Sequence, residues 1–93
     1  MELRFLKTAY NTLINIDFIK YISYKKETYS DGSILYPMII DTFDGEVIYG
    51  YSLDEEDCLK FINSVSKNIQ PYLSFYTEEE ALLRFDENQY LNL

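Results

Sequence analysis

The stretch from Ile34 to Ile69 constrains this chain most, because it reads without a break as strand, tight turn, strand and amphipathic helix. Ile34 to Phe43 is rich in apolar, β-forming residues and ends at Asp44-Gly45. Asp-Gly suits a two-residue hairpin turn, whose central positions need positive φ. The return run alternates Val47, Tyr49 and Tyr51 with Ile48 and Gly50, the two-residue period of a strand. Pro37 has no N–H for a ladder and therefore predicts an edge strand or a bulge. Ser52-Leu53-Asp54-Glu55 then matches a capping box, and Asp54 with Asp57 offers an alternative cap. Cys58, Ile62, Val65 and Ile69 follow as one helical stripe with Phe61 beside it, so a helix from Asp54 to Asn68 is expected on the hairpin sheet. Asn68 and Pro71 supply its stop.

Before this unit, Glu2 to Tyr10 suggests an opening strand with Leu3 and Phe5 facing inward, and Asn11 marks a turn. Leu13 to Tyr24 changes phase between Ile16 and Ile19, which implies a bulge or short turn near Asn15–Asp17. A short helix over Ile16 to Tyr24 is the alternative; the dominance of Ile, Phe and Tyr favours strand. Lys25 to Ser33 reads as a polar hairpin tip turning at Asp31-Gly32. After Pro71, Tyr72 to Tyr76 is a short extended run, and Thr77-Glu78-Glu79-Glu80 opens a short helix with Leu82 and Phe85 facing the core. Asn88 to Leu93 either frays or docks. The expected fold is α+β, with residues 1–93 as one domain. It is a three- to four-stranded antiparallel β-meander packed by one amphipathic helix, plus a short C-terminal helix.

A chain of 93 residues buries only about 60–65% of its unfolded surface. Packing must therefore be good, and 16 aromatic residues, ten of them tyrosine, supply the area. The net charge is −8. Residues 51–93 hold three basic and nine acidic side chains, net −6, against five and seven, net −2, before Tyr51. Such a field repels phosphate and anionic lipid, which argues against direct nucleic-acid or membrane binding and favours basic partners. The plain alternative is that the charge keeps a tyrosine-rich chain soluble. With one cysteine, no leader-like segment and no apolar run near the ~20 residues that span a bilayer, a cytoplasmic location is expected.

Histidine is absent, so histidine triads and histidine metal sites are excluded. Cys58 lies on the apolar stripe and reads as a core residue rather than a nucleophile. No phosphate-cradling glycine motif occurs. Asp41, Asp44 and Glu46 have a spacing that allows weak calcium binding, but they lack the D-x-(D/N)-x-(D/N)-G loop of a dedicated site. No enzyme and no cofactor is expected.

What remains is binding. Carboxylates on a compact scaffold can fill the Lys/Arg pockets that hold phosphates, while tyrosines replace stacked bases. The candidates are Asp41, Asp44 and Glu46 at the hairpin tip with Tyr49, then Glu78, Glu79, Glu80, Asp86 and Glu87. Each acid alternatively caps or solvates its own element. Met38-Ile39-Ile40, Asp44-Gly45-Glu46, Leu53-Asp54-Glu55-Glu56, the Phe61-Ile62 helix and Tyr76-Thr77-Glu78-Glu79-Glu80 resemble the small acidic phage anti-CRISPR proteins that inhibit Cas effectors. The resemblance covers roughly residues 34–82. It implies an inhibitor whose Asp44, Glu46 and Glu78–Glu80 meet the arginine-rich surface that reads the DNA flanking motif. The aromatic-rich segment Leu3 to Tyr24 departs from that family. The run Leu13 to Ile22 with its hairpin and closing helix is also similar to small bacterial proteins of the flagellar-operon type. That likeness implies a regulatory adaptor binding through a sheet face or edge, with Tyr36, Tyr49 and Tyr51 prominent. A homodimer through the Pro37 edge or the sheet face is a further expectation.

Overall fold

The computed structural model describes residues 2–91, with side chains through residue 88. Its fold is α+β. The strands are β1 (Phe5–Lys7), β2 (Leu13–Asn15), β3 (Ile19–Tyr24), β4 (Glu27–Thr28), β5 (Ile34–Thr42) and β6 (Gly45–Ser52). The helices are α1 (Glu55–Ser66) and α2 (Glu78–Leu91), and Ile16–Phe18 forms one 3-10 turn. That turn, capped by Asn15 Oδ1 accepting from Asp17 N at 2.9 Å, is the break expected between the two phases of Leu13 to Tyr24.

β5 is the central strand. On one side it pairs antiparallel with β6, and on the other with β4 and then β3. β3 and β4 share that side end to end, so the sheet is in effect a three-stranded meander whose first strand is broken at Lys25-Lys26. Pro37 therefore lies in the middle of the sheet, not at an edge. Lys25 N donates to Pro37 O at 3.4 Å, so Pro37 turns its backbone groups toward the gap between β3 and β4. Its missing N–H falls where the ladder changes partners, and β6 is bulged close by, between the pairs Met38↔Gly50 and Ile39↔Ile48.

That bulge adds Tyr49, which breaks the simple alternation expected for Val47 to Tyr51. Tyr49 turns into the core, where its ring lies 4.5 Å from that of Phe61 and 5.5 Å from Phe75. Its carbonyl accepts from Ala9 N at 2.8 Å, and Tyr51 exchanges two hydrogen bonds with Tyr76. Gly50 sits between these contacts with room for no more than hydrogen: a Cβ there would come within 2.9 Å of Phe75 Cβ and 3.1 Å of Ala9 Cβ.

Two helices cover opposite faces. Residues 36, 38 and 40 of β5 face α1, where Met38, Ile40, Tyr49, Cys58 and Phe61 are buried with Leu6 and Ile14. Residues 35 and 37 face the other way, where Leu35 and Tyr51 meet Ala81, flanked by Leu82 and Phe85. The expectation placed Leu82 and Phe85 on a core, and they are on one, but it is a second core on the far face. α2 is also longer than expected, continuing through Asn88 to Leu91.

Four local expectations need correction. The opening strand is only three residues, because Thr8 closes a turn with Thr12 (Thr8 N to Thr12 O, 2.8 Å) and Asn11 adopts φ 62°. Leu3 packs on the core as expected, but within the strand it is Leu6 that is buried, and Phe5 is half exposed. The main hairpin turns at Phe43-Asp44, which keep negative φ, and Gly45 (φ 122°) takes the positive angle, as in a type I turn followed by a bulge. Of the two caps expected for helix α1 the alternative, Asp54, is the one used, its Oδ1 accepting from Glu56 N at 3.0 Å, while Ser52 is buried two residues earlier. At the other end Asn68 takes φ 58°, with Asn68 N donating to Val65 O and Ile69 N to Ser64 O, both 2.9 Å. This pattern ends the helix as expected, but it swings Ile69 off the stripe into solvent.

Candidate functional site

α2 covers only the Leu35–Tyr51 end of its sheet face. The other end of that face is open. There Tyr21 pairs with Asp41 and Asp41 with Glu46, so the three side chains form one row across β3, β5 and β6. Asp41 is half-buried and Glu46 exposed. Asp44 is exposed at the turn beside Phe43, and Phe18 joins this end because Phe43 N donates to Phe18 O at 3.2 Å. Tyr21 is 66% exposed and Phe43 71%. Lys20 Nζ lies over both rings, 6.0 Å from the centre of Tyr21 and 5.8 Å from Phe43.

The electrostatics of this row are uncompensated. Like charges directly opposite on adjacent strands are destabilising. Among the described residues the one ion pair is Lys25–Glu27 at 3.9 Å, so Asp41, Asp44 and Glu46 have no cation at contact distance. The row combines carboxylates with exposed aromatic faces, and Lys20 already uses those faces as a cation seat.

The acids of α2 lie elsewhere. Glu27 and Leu35 pair at the far end of β5, six residues from Asp41 or about 20 Å along the strand. Glu78 belongs to that end and is tied up in packing: Tyr29 Oη reaches Glu78 Oε2 at 2.5 Å and Glu27 Oε2 at 2.9 Å. Glu78 N donates to Tyr10 Oη at 3.1 Å, and Thr77 Oγ1 accepts from Glu80 N at 3.3 Å. Burial and these two carboxylates push the Tyr29 phenol far above its ordinary range; burial pushes Tyr51 up to about 12. Glu79, Glu80, Asp86 and Glu87 are exposed on the helix, and Arg84 lies 4.6 Å over the Tyr76 ring. The two acidic groups expected from the sequence therefore do not form one surface.

Tyr49, expected among the contacts, is only 8% exposed and lies inside the aromatic core. Tyr51 is likewise buried and Tyr36 half-buried, so the tyrosine face expected for an adaptor is packed inside. Cys58 is buried, donates to Tyr36 O at 3.8 Å, and burial raises its thiol to about 12, which keeps it a thiol at neutral pH. The aromatic members Tyr21, Phe43 and Phe18 escaped sequence reasoning. An apolar residue flanking Asp-Gly gives no signal of whether it points in or out.

Compared with protein-family models, with curated proteins and with solved structures, the chain finds no match in any of the three. No helix among the described residues is long and apolar enough to cross a membrane.

Proposed function

We propose that this protein is a non-enzymatic, protein-binding inhibitor that lays the acidic, aromatic end of its sheet on a basic nucleic-acid-binding surface of another protein. One observation carries the reading: Asp41 and Glu46 stand opposite each other without a counter-ion, in a row with exposed Tyr21 and beside Phe43. A guanidinium placed between the two carboxylates relieves their repulsion and makes charge-assisted hydrogen bonds, while the rings receive its flat face. An arginine that normally holds a phosphate or a base edge has this chemistry. The arginine-rich surface of a Cas effector is the narrower form of the proposal, resting on the family resemblance. Glu79, Glu80, Asp86 and Glu87 add a negative field that speeds approach rather than supplying contacts.

The test is capture of partners from a bacterial lysate, washed at about 0.1 M and about 0.5 M salt. Expected is a basic nucleic-acid-binding protein that is lost at high salt, competed off by its own nucleic acid, and not captured by an Asp41→Asn/Asp44→Asn/Glu46→Gln variant. A partner that survives high salt and ignores those changes sinks the proposal. It would favour an adaptor reading, for which the half-buried Ile39 and Ile48 on the same face are the observation.

A further inference from the structure

The outer edge of β3 offers a second surface, of opposite charge. Its backbone directions follow from two hydrogen bonds. Lys25 N donates to Pro37 O, so the pair 25/37 turns inward, toward β5. In agreement, Tyr51, opposite Pro37 on the other flank, turns its N–H and C=O away from β5 to Tyr76. In an antiparallel ladder the bonded pairs alternate. Register pairs Ser23↔Ile39 and Tyr21↔Asp41 therefore bond across β3 and β5, whereas Ile22 and Tyr24 direct their N–H and C=O groups outward. Among the described residues no strand pairs with β3 on that side. At β6 the corresponding edge is partly closed by Ala9 and Tyr76; at β3 it stays open along a six-residue strand.

The charge along this edge says what covers it. Lys20, Lys25 and Lys26 flank the open groups, three of the eight basic residues in a chain of net charge −8. All three are exposed, and among the described residues only Lys25 has an acid at contact distance, Glu27 at 3.9 Å. A second copy pairing β3 against β3 would bring these lysines together, which is how lysines ordinarily guard an edge. An acidic strand is attracted by these lysines, although Glu27 beside Lys25 and Glu55 near Tyr24 offset part of that attraction. We infer that the outer edge of β3 is a docking edge for an extended acidic segment of a partner protein, which adds to the sheet as a further strand. Backbone bonds to Ile22 and Tyr24 supply affinity, and Lys20, Lys25 and Lys26 select the acidic sequence. The edge shares Lys20 and Tyr21 with the end of the Asp41–Glu46 row, but it takes the opposite charge through the outward backbone groups of Ile22 and Tyr24, which the row does not use.

The probe is a short capped peptide alternating glutamate with valine, added to isotope-labelled protein and followed by amide NMR. Expected are shifts centred on residues 19–24 and slowed hydrogen exchange at the Ile22 and Tyr24 amides. A peptide with lysine for glutamate should bind roughly tenfold more weakly. N-methylating the probe along its bonding edge should abolish binding. Lys20→Glu/Lys26→Glu, on exposed side chains, should reverse the preference between the two peptides. Absence of shifts at millimolar peptide, shifts centred on another element, or equal binding of both peptides would overturn the inference. Sedimentation showing β3-dependent self-association, abolished by Lys20→Glu/Lys26→Glu, would overturn it in favour of a second copy.

Discussion

Asp41 and Glu46 face each other across β5 and β6 with no cation between them, on the half of the sheet that α2 leaves bare. A fold gains nothing from that arrangement on its own. Neutralising one member should therefore stabilise the free protein while weakening its attachment to a basic partner. Asp41→Asn is expected to raise the urea midpoint at low salt by the equivalent of about 0.2–1 kcal/mol, with the gain shrinking as salt is added. A drop in the midpoint would mean that Asp41 has a stabilising role in the free fold.

Tyr29 offers one hydroxyl hydrogen to two carboxylates, Glu27 at 2.9 Å and Glu78 at 2.5 Å. Only one can receive it at a time. Glu27→Gln supplies an amide N–H in place of the competing oxygen and should raise stability, whereas Tyr29→Phe should lower it by about 1–2 kcal/mol. Chemical denaturation of the two variants checks both signs. Equal effects would show that the three groups do not act as one network.

Alkaline pH should unfold the protein. Burial first, then Glu78 and Glu27, hold the Tyr29 phenol above its unfolded value of 10.0; burial does the same for Tyr51, to about 12, and for Tyr49. The unfolded chain then releases protons that the folded chain retains, so these groups' stabilisation is intact below pH 10 and is lost as pH rises through their folded values. Phenolate absorbance should report a set of tyrosines that ionises only with loss of far-ultraviolet circular dichroism. Smooth titration of all tyrosines with the fold intact would contradict this.

Gly50→Ala is expected to destabilise by about 1–3 kcal/mol, since the added methyl meets two Cβ atoms fixed to the backbone at Phe75 and Ala9. Thermal melting measures it. A neutral result would place the 72–76 segment off β6 in solution.

Much of this fold is legible in the chain because local signals agree. The apolar run to Thr42, the Asp-Gly pair, the Asp54 cap and the Asn68 stop each name their element, and the structure follows them. What the chain hides is tertiary. Nothing local to Pro37 says that β3 and β4 share one side of its strand and leave a gap where a missing N–H is harmless. The bulge that sends Tyr49 inward is decided by Ala9, Phe61 and Phe75, distant in sequence. For the candidate site, the acids Asp41, Asp44 and Glu46 are readable, but their aromatic neighbours depend on which face α2 covers. Glu78 reads as a surface acid like Glu79, and only the fold reveals its contact with Tyr29, 49 residues away.

The most direct measurement is an amide NMR titration of the intact protein with a short arginine-rich peptide. The account predicts shifts concentrated at Tyr21, Asp41, Phe43, Asp44 and Glu46, weakened by salt and lost in Asp41→Asn/Glu46→Gln. Shifts concentrated instead at Glu79, Glu80, Asp86 and Glu87, unchanged in that variant, would contradict it.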